Sequence, residues 1–156
     1  MKDQKKIQIS TFEELNKTQL YQILQLRAEV FVVEQNCPYQ DVDDLDMGAL
    51  HLFSITAGQL ESYARIMPPN YEYKGYAAIG RVIVKKPFRG SGLGRVLMEK
   101  SMAFCREKYP EVPIKIMAQT YLLNFYESLG FKRLGEEFLE DGIPHWYMTA
   151  KPKKVV

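Results

Sequence analysis

IGRVIVKKPFRGSGLGRVLMEK, residues 79–100, decides how this chain folds. Its first part holds Ile79, Val82, Ile83 and Val84, an apolar, β-branched run of the kind a buried strand needs. Pro87 ends that run, because proline has no N–H to give a sheet ladder. Gly90, Gly92 and Gly94 follow at every second position, and a helical pattern starts at Leu93. Strand, glycine turn and helix in that order point free backbone N–H groups, and the positive end of a helix dipole, at an anion. Arg89 and Arg95 flank the turn and add cations. The stretch reads as a phosphate cradle.

Other phosphate motifs fail on spacing. In G-x-G-x-x-G the third glycine comes one residue later than Gly94 does. A P-loop needs Gly-Lys-Ser/Thr, and Gly94 is followed by Arg95-Val96. No carboxylate is placed to hold the magnesium of a triphosphate. What remains is a metal-free diphosphate on backbone amides, or a glycine turn with no ligand at all.

At 156 residues the chain suits a single domain, taken as residues 1–156. Hydrophobic residues at 46% and charged residues at 26% are ordinary for a globular protein. No apolar run approaches the roughly 20 residues of a membrane span, and MKDQKKIQIS lacks the apolar segment of a secretory signal. Cys37 and Cys105 show no metal spacing, so a reducing, cytoplasmic setting is expected. A net charge of +2 is too small to argue for nucleic acid.

Working outward, Ile7 and Ile9 suggest a short first strand, and Ser10-Thr11-Phe12-Glu13-Glu14 offers a capping-box pattern that can start a turn of helix. Thr18 is expected to cap a helix with apolar positions Leu20, Ile23, Leu24, Val30 and Phe31. Arg27 interrupts that face and is expected to snorkel off it. FVVEQNCPYQDVDDLD, residues 31–46, ends in four aspartates. It is not a calcium loop: after Asp41 and Asp43 the fifth and sixth positions are Leu45 and Asp46, not Asp/Asn and Gly. A solvated acidic loop is expected, able to line a site that attracts an amine. His51 to Ala57 and Leu60 to Met67 read as a hairpin turning at Gly58-Gln59. After the cradle helix come a strand (Ile114 to Ala118), a short helix opened by Thr120 and stopped at Gly130, and a closing hairpin from Lys132 to Ala150. The order predicts an α/β (α+β) mixed sheet flanked by helices. An exposed edge at Ile143 to Met148 would let a second copy pair as a homodimer.

Arg89-x-x-Gly92-x-Gly94 resembles the coenzyme A diphosphate loop of the GNAT N-acetyltransferases, Arg/Gln-x-x-Gly-x-Gly/Ala, and the resemblance extends to the element order. It implies a central, mostly antiparallel mixed sheet whose cradle strand splays from the next to open a cleft. It implies that Val82, Ile83 and Val84 contact the acyl-pantetheine, and that Arg89, Gly90, Ser91, Gly92, Leu93, Gly94 and Arg95 hold the diphosphate. Asn124 would touch the cofactor arm, and the Tyr126 hydroxyl would stand near the departing sulfur. Residues 30–41, 64–66, 79–84 and 140–145 further resemble the ElaA-type subgroup, whose acceptor is unsettled.

The implied reaction is direct transfer from acetyl-CoA, without a metal, to a primary amine of a small molecule or peptide. Tyr126 would protonate the thiolate, and central-strand N–H groups would meet the oxyanion. Glu34, beside the acidic loop, is the first candidate for the base, with His51 and His145 as the others; all three are candidates for acceptor contact. A water chain can replace a single base, and Cys37 lacks a histidine partner in sequence for a nucleophile's role. The competing readings are a non-catalytic acyl-CoA sensor or partner domain, and a nucleotide-binding protein of another class.

Overall fold

The computed structural model describes residues 6–154. Its strands are β1 (Gln8–Thr11), β2 (Leu50–Thr56), β3 (Gln59–Met67), β4 (Ala77–Val84), β5 (Ile114–Gln119), β6 (Lys132–Glu140) and β7 (Ile143–Ala150). Its α-helices are α1 (Lys17–Arg27), α2 (Leu93–Lys108) and α3 (Leu123–Ser128). The seven strands run in the order β1-β2-β3-β4-β5-β7-β6. The pairs β1–β2, β2–β3, β5–β7 and β6–β7 are antiparallel, and β4–β5 is parallel. That parallel register covers Ala77↔Ile114 and Ala78↔Lys115, against six positions between β5 and β7. The expected mixed, mostly antiparallel sheet is what forms.

The chain divides into two compact units. One takes the residues up to Ile66 together with Arg81–Ser101; the other takes Met67–Gly80 and the residues from Met102 onward. In the first, Ile23, Leu26 and Val30 pack with Phe53, Leu60, Tyr63 and Ile83 in one buried cluster. Removing such side chains from water is what offsets the ordering of the chain. In the second, Ile114, Ile116, Leu123, Phe131 and Met148 are buried.

Several local expectations shift. Asn16, not Thr18, caps α1: its Oδ1 accepts from Gln19 N at 2.8 Å while Gln19 Oε1 accepts from Asn16 N at 3.0 Å. Asn with Gln three residues on satisfies two orphan donors at once, which Thr18 cannot do with Tyr21. The β2–β3 turn lies at Ala57-Gly58, one residue earlier than expected, with φ +51 and +75. Two positive φ values fit the tight turn that matches strand twist. The expected edge at Ile143 to Met148 is not an edge, because β7 lies between β5 and β6; β6 is the outer strand.

α1 does not end at Arg27 but widens into a π-helical segment, Ala28–Glu34. Gln35 N bonds Val30 O at 3.2 Å and Cys37 N bonds Val32 O at 3.0 Å, the five-residue spacing of that wider helix. The extra residue re-aims the last turn, and with it Glu34.

Candidate functional site

In the first unit the cradle is assembled at the end of β4. A single 3-10 turn, Lys86–Phe88, follows the strand, then the glycine loop, then α2. Gly90 and Gly92 have φ +82 and +83, a region that a side chain makes costly. A Cβ built on either meets nothing within 4 Å, so open space faces the loop. Gly94 is different: its Cβ would lie 3.6 Å from Val84 Cγ2, packing the helix start onto the strand. Val96 N is already bonded to Gly92 O at 3.2 Å. The N–H groups just before it have no helical acceptor, because a helix start leaves its first donors unsatisfied. Ser91 Oγ bonds Phe88 O at 2.8 Å and Leu93 is buried, so the loop is braced from within. Open backbone donors beside Arg89 and Arg95 suit a diphosphate.

Glu34 and Arg89 are brought together. Arg89 Nη1 and Nη2 donate to Glu34 Oε1 and Oε2 at 3.1 and 2.7 Å, and Arg89 Nε donates to Val84 O at 2.8 Å. The bond to Arg89 holds the Glu34 carboxyl below the usual range.

The acidic loop is not a solvated one. Arg27 does not snorkel: it is fully buried, and donates to Asp41 Oδ2 at 2.9 Å and Asp46 Oδ1 at 2.6 Å. Arg65, on β3, donates to Asp43 Oδ1 at 2.8 Å and Asp46 Oδ1 at 2.9 Å. Arg81, on β4, donates to Asp41 Oδ1 at 2.8 Å and stands over the Phe31 and Tyr39 rings. Three guanidinium groups thus meet three carboxylates, which is how charge tolerates burial. Burial acts to raise the Asp43 pKa, but Arg65 overcomes it and brings it down to about 2. Arg81 has φ +51, a strained conformation for a non-glycine residue inside a strand. Sequence reasoning missed this network. The signal was there: Arg27, Arg65 and Arg81 each lie in an apolar run, and such cations need carboxylates.

His51 is buried in the same unit, with Nε2 2.9 Å from Asp46 O and Nδ1 2.7 Å from the Tyr63 hydroxyl. A carbonyl only accepts, so Nε2 carries the proton and Nδ1 accepts from Tyr63. Burial lowers the His51 pKa. Both nitrogens are committed, which removes His51 as a base.

In the second unit, Asn124 is exposed and Tyr126 buried on α3. Phe125 and Phe131 meet the Tyr126 ring edge-on at 5.2 and 6.0 Å between centroids. Burial, helped by Tyr121, pushes its hydroxyl up to about 12, so it keeps its proton at neutral pH. His145, on β7, is buried and stacks on Phe138, with Nδ1 2.7 Å from Ile143 O. The same carbonyl logic puts the proton on Nδ1 and leaves the lone pair of the neutral ring on Nε2. Lys115 Nζ is surrounded by the Tyr147, Tyr73 and Tyr76 rings at 4.4, 4.6 and 5.3 Å, a cage with no counterpart among the expectations. Among the described residues no group of three or more His, Cys, Asp or Glu is arranged to hold a metal. Nor is any described helix long and apolar enough to cross a membrane.

Residues 8–152 match the family model for the acetyltransferase (GNAT) domain. Protein ElaA of Escherichia coli strain K12 is 46% identical over 140 residues, covering 88% of this chain and 91% of its own. The crystal structure of Escherichia coli ElaA superposes with a TM-score of 0.88 at 41% identity, covering 94% of this chain and 99% of that one. An acyl-CoA N-acyltransferase from Pseudomonas aeruginosa gives a TM-score of 0.89 at 39% identity, with the same coverage of both chains. With the sheet order and the cradle already in place, these matches make the chain a member of the GNAT acyltransferase family, in its ElaA-like branch.

Proposed function

We propose that this protein transfers an acetyl group from acetyl-CoA to a primary amine of a small molecule or peptide. One observation carries the reading: the loop at Gly90 and Gly92 faces open space at a helix start whose first backbone donors have no helical acceptor, within a chain of this family. That donor set suits a diphosphate and asks for no metal. In this reading Val82 to Val84 present their backbone to the pantetheine arm, and Asn124 touches it.

The neutral acceptor amine attacks the thioester carbonyl, and a carbon–nitrogen bond replaces the carbon–sulfur bond. Backbone N–H groups near Arg81, whose left-handed kink turns the peptide within β4, are the candidates for the oxyanion. Tyr126 gives its proton to the departing thiolate; a phenol at about 12 is charged only in strong alkali and is otherwise ready to donate. For the amine's proton, Nε2 of His145 has the right tautomer, whereas Glu34 is tied to Arg89 through both oxygens. The setting in this reading is reducing and cytoplasmic, as the two cysteines without metal spacing suggest.

The test is release of free thiol from acetyl-CoA across a panel of amines. Tyr126→Phe should lower kcat about 10²-fold, the ordinary size of a lost acid. Coenzyme A binding with no thiol release on any amine would favour a sensor or partner domain instead.

A further inference from the structure

The carboxylate expected to serve the acceptor is bonded to the cofactor loop. Glu34 is the last residue of the π-helical segment, and its two oxygens take both terminal nitrogens of Arg89. Arg89 Nε is fixed to Val84 O at the end of β4, so the guanidinium cannot turn away without losing a further bond. A carboxylate in this fork-to-fork geometry presents two oxygens to the arginine much as a phosphate does.

We infer that Glu34 is the resident counter-ion of the diphosphate cradle, a positioning residue that holds Arg89 and sets the affinity for acyl-CoA by competing with the diphosphate for it. The inference rests on the acyl-CoA reading of that cradle. Without ligand, the carboxylate neutralises the charge that a diphosphate would seek. With ligand, the phosphate oxygens either displace Glu34 or share Arg89 with it, and either event works against a negative charge. The pair is partly exposed, with 40% of the Arg89 and 34% of the Glu34 side chain accessible, so solvent permits the exchange. The wider turn of the helix is what brings Glu34 here. At ordinary helical spacing its side chain would leave Ala28–Glu34 in another direction.

Calorimetric titration of coenzyme A into the wild type, Glu34→Gln, Arg89→Gln and the double variant tests this, with melting curves to show that each is folded. Glu34→Gln should tighten the coenzyme A Kd about two- to fivefold, the scale of a partly exposed ion pair. Arg89→Gln should weaken binding, and Glu34→Gln should add nothing to it. In turnover, the KM for acyl-CoA should fall with Glu34→Gln. Weaker or unchanged binding in Glu34→Gln overturns the inference, as does a gain that persists beside Arg89→Gln. A kcat loss of about 10²-fold with Kd unmoved would make Glu34 the base instead. If the wild type binds no coenzyme A, the acyl-CoA reading itself fails, which is a different result from any of these.

Discussion

Arg27 Nε lies 2.9 Å from Asp41 Oδ2, in a pair fourteen residues apart whose arginine is wholly buried. Asp46 joins the same arginine to Arg65, so one carboxylate serves two buried cations. Removing one member of such a set leaves the others charged and unpaired, at a cost of about 3–5 kcal/mol. Asp46→Asn should therefore remove a large part of a domain's stability, read as a lower urea midpoint. Asp44→Asn is the control: Asp44 is exposed and has φ +65, which asparagine tolerates. Its change should stay within about 0.5 kcal/mol.

The same network makes the fold acid-labile. Asp43 is brought down to about 2, and Asp46 is also lowered because Arg27 and Arg65 outweigh its burial. A carboxylate whose pKa falls on folding contributes stability that is fully present above its unfolded pKa of about 4 and is lost below it. Melting temperature should hold above that pH and drop steeply between about 4 and 2. A flat profile there would mean the arginines do not hold these carboxylates in solution.

His51 adds a second, milder slope nearer neutrality. Burial lowers its pKa below the ordinary 6.5, so the unfolded chain takes up a proton before the folded one does. Stability from this group is present above 6.5 and declines as the pH falls through it. His51→Gln should lower stability overall, through the lost bonds to Tyr63 and Asp46, and flatten the profile below pH 6.5.

The histidines should separate by readout. His145→Gln should reduce kcat/KM about 10²-fold with melting temperature little changed, because glutamine can keep the bond that the His145 ring makes to Ile143 O. His51→Gln should act mainly on stability. The reverse pattern would assign the base to the wrong unit of the chain.

Strands and the cradle were legible because their signals are local. The β-branched run before Pro87 and the alternating glycines are each explained by the residue itself. The β2–β3 turn was misplaced by one residue because alanine gives no warning that it takes φ +51. Arg27 and the aspartates were misread for a deeper reason. A cation in an apolar helix face looks like a snorkelling side chain, and an acidic run looks solvated, until folding brings the two together. Burial is decided by partners far away in sequence: forty residues separate Arg81 from Asp41. Glu34 was likewise legible as a charged residue at a helix end, but its direction depends on a π-helical turn that no spacing rule foretells.

Lys115 carries the remaining test. Its ammonium is held by the faces of Tyr73, Tyr76 and Tyr147, and Tyr73 meets Tyr147 edge-on at 5.8 Å. Tyr73 and Tyr76 belong to the segment between β3 and β4, whereas Tyr147 is on β7, so the lysine ties that segment to the sheet of the second unit. Partly desolvated cation–π contacts are worth about 1–2 kcal/mol. Lys115→Met keeps the apolar stem but removes the charge, and should cost about that much stability. It should also speed amide hydrogen exchange from Asn70 to Tyr76. Lys115→Arg keeps a cation for the rings and should restore most of both. If methionine matches lysine in exchange and stability, the tyrosines pack the segment without the charge.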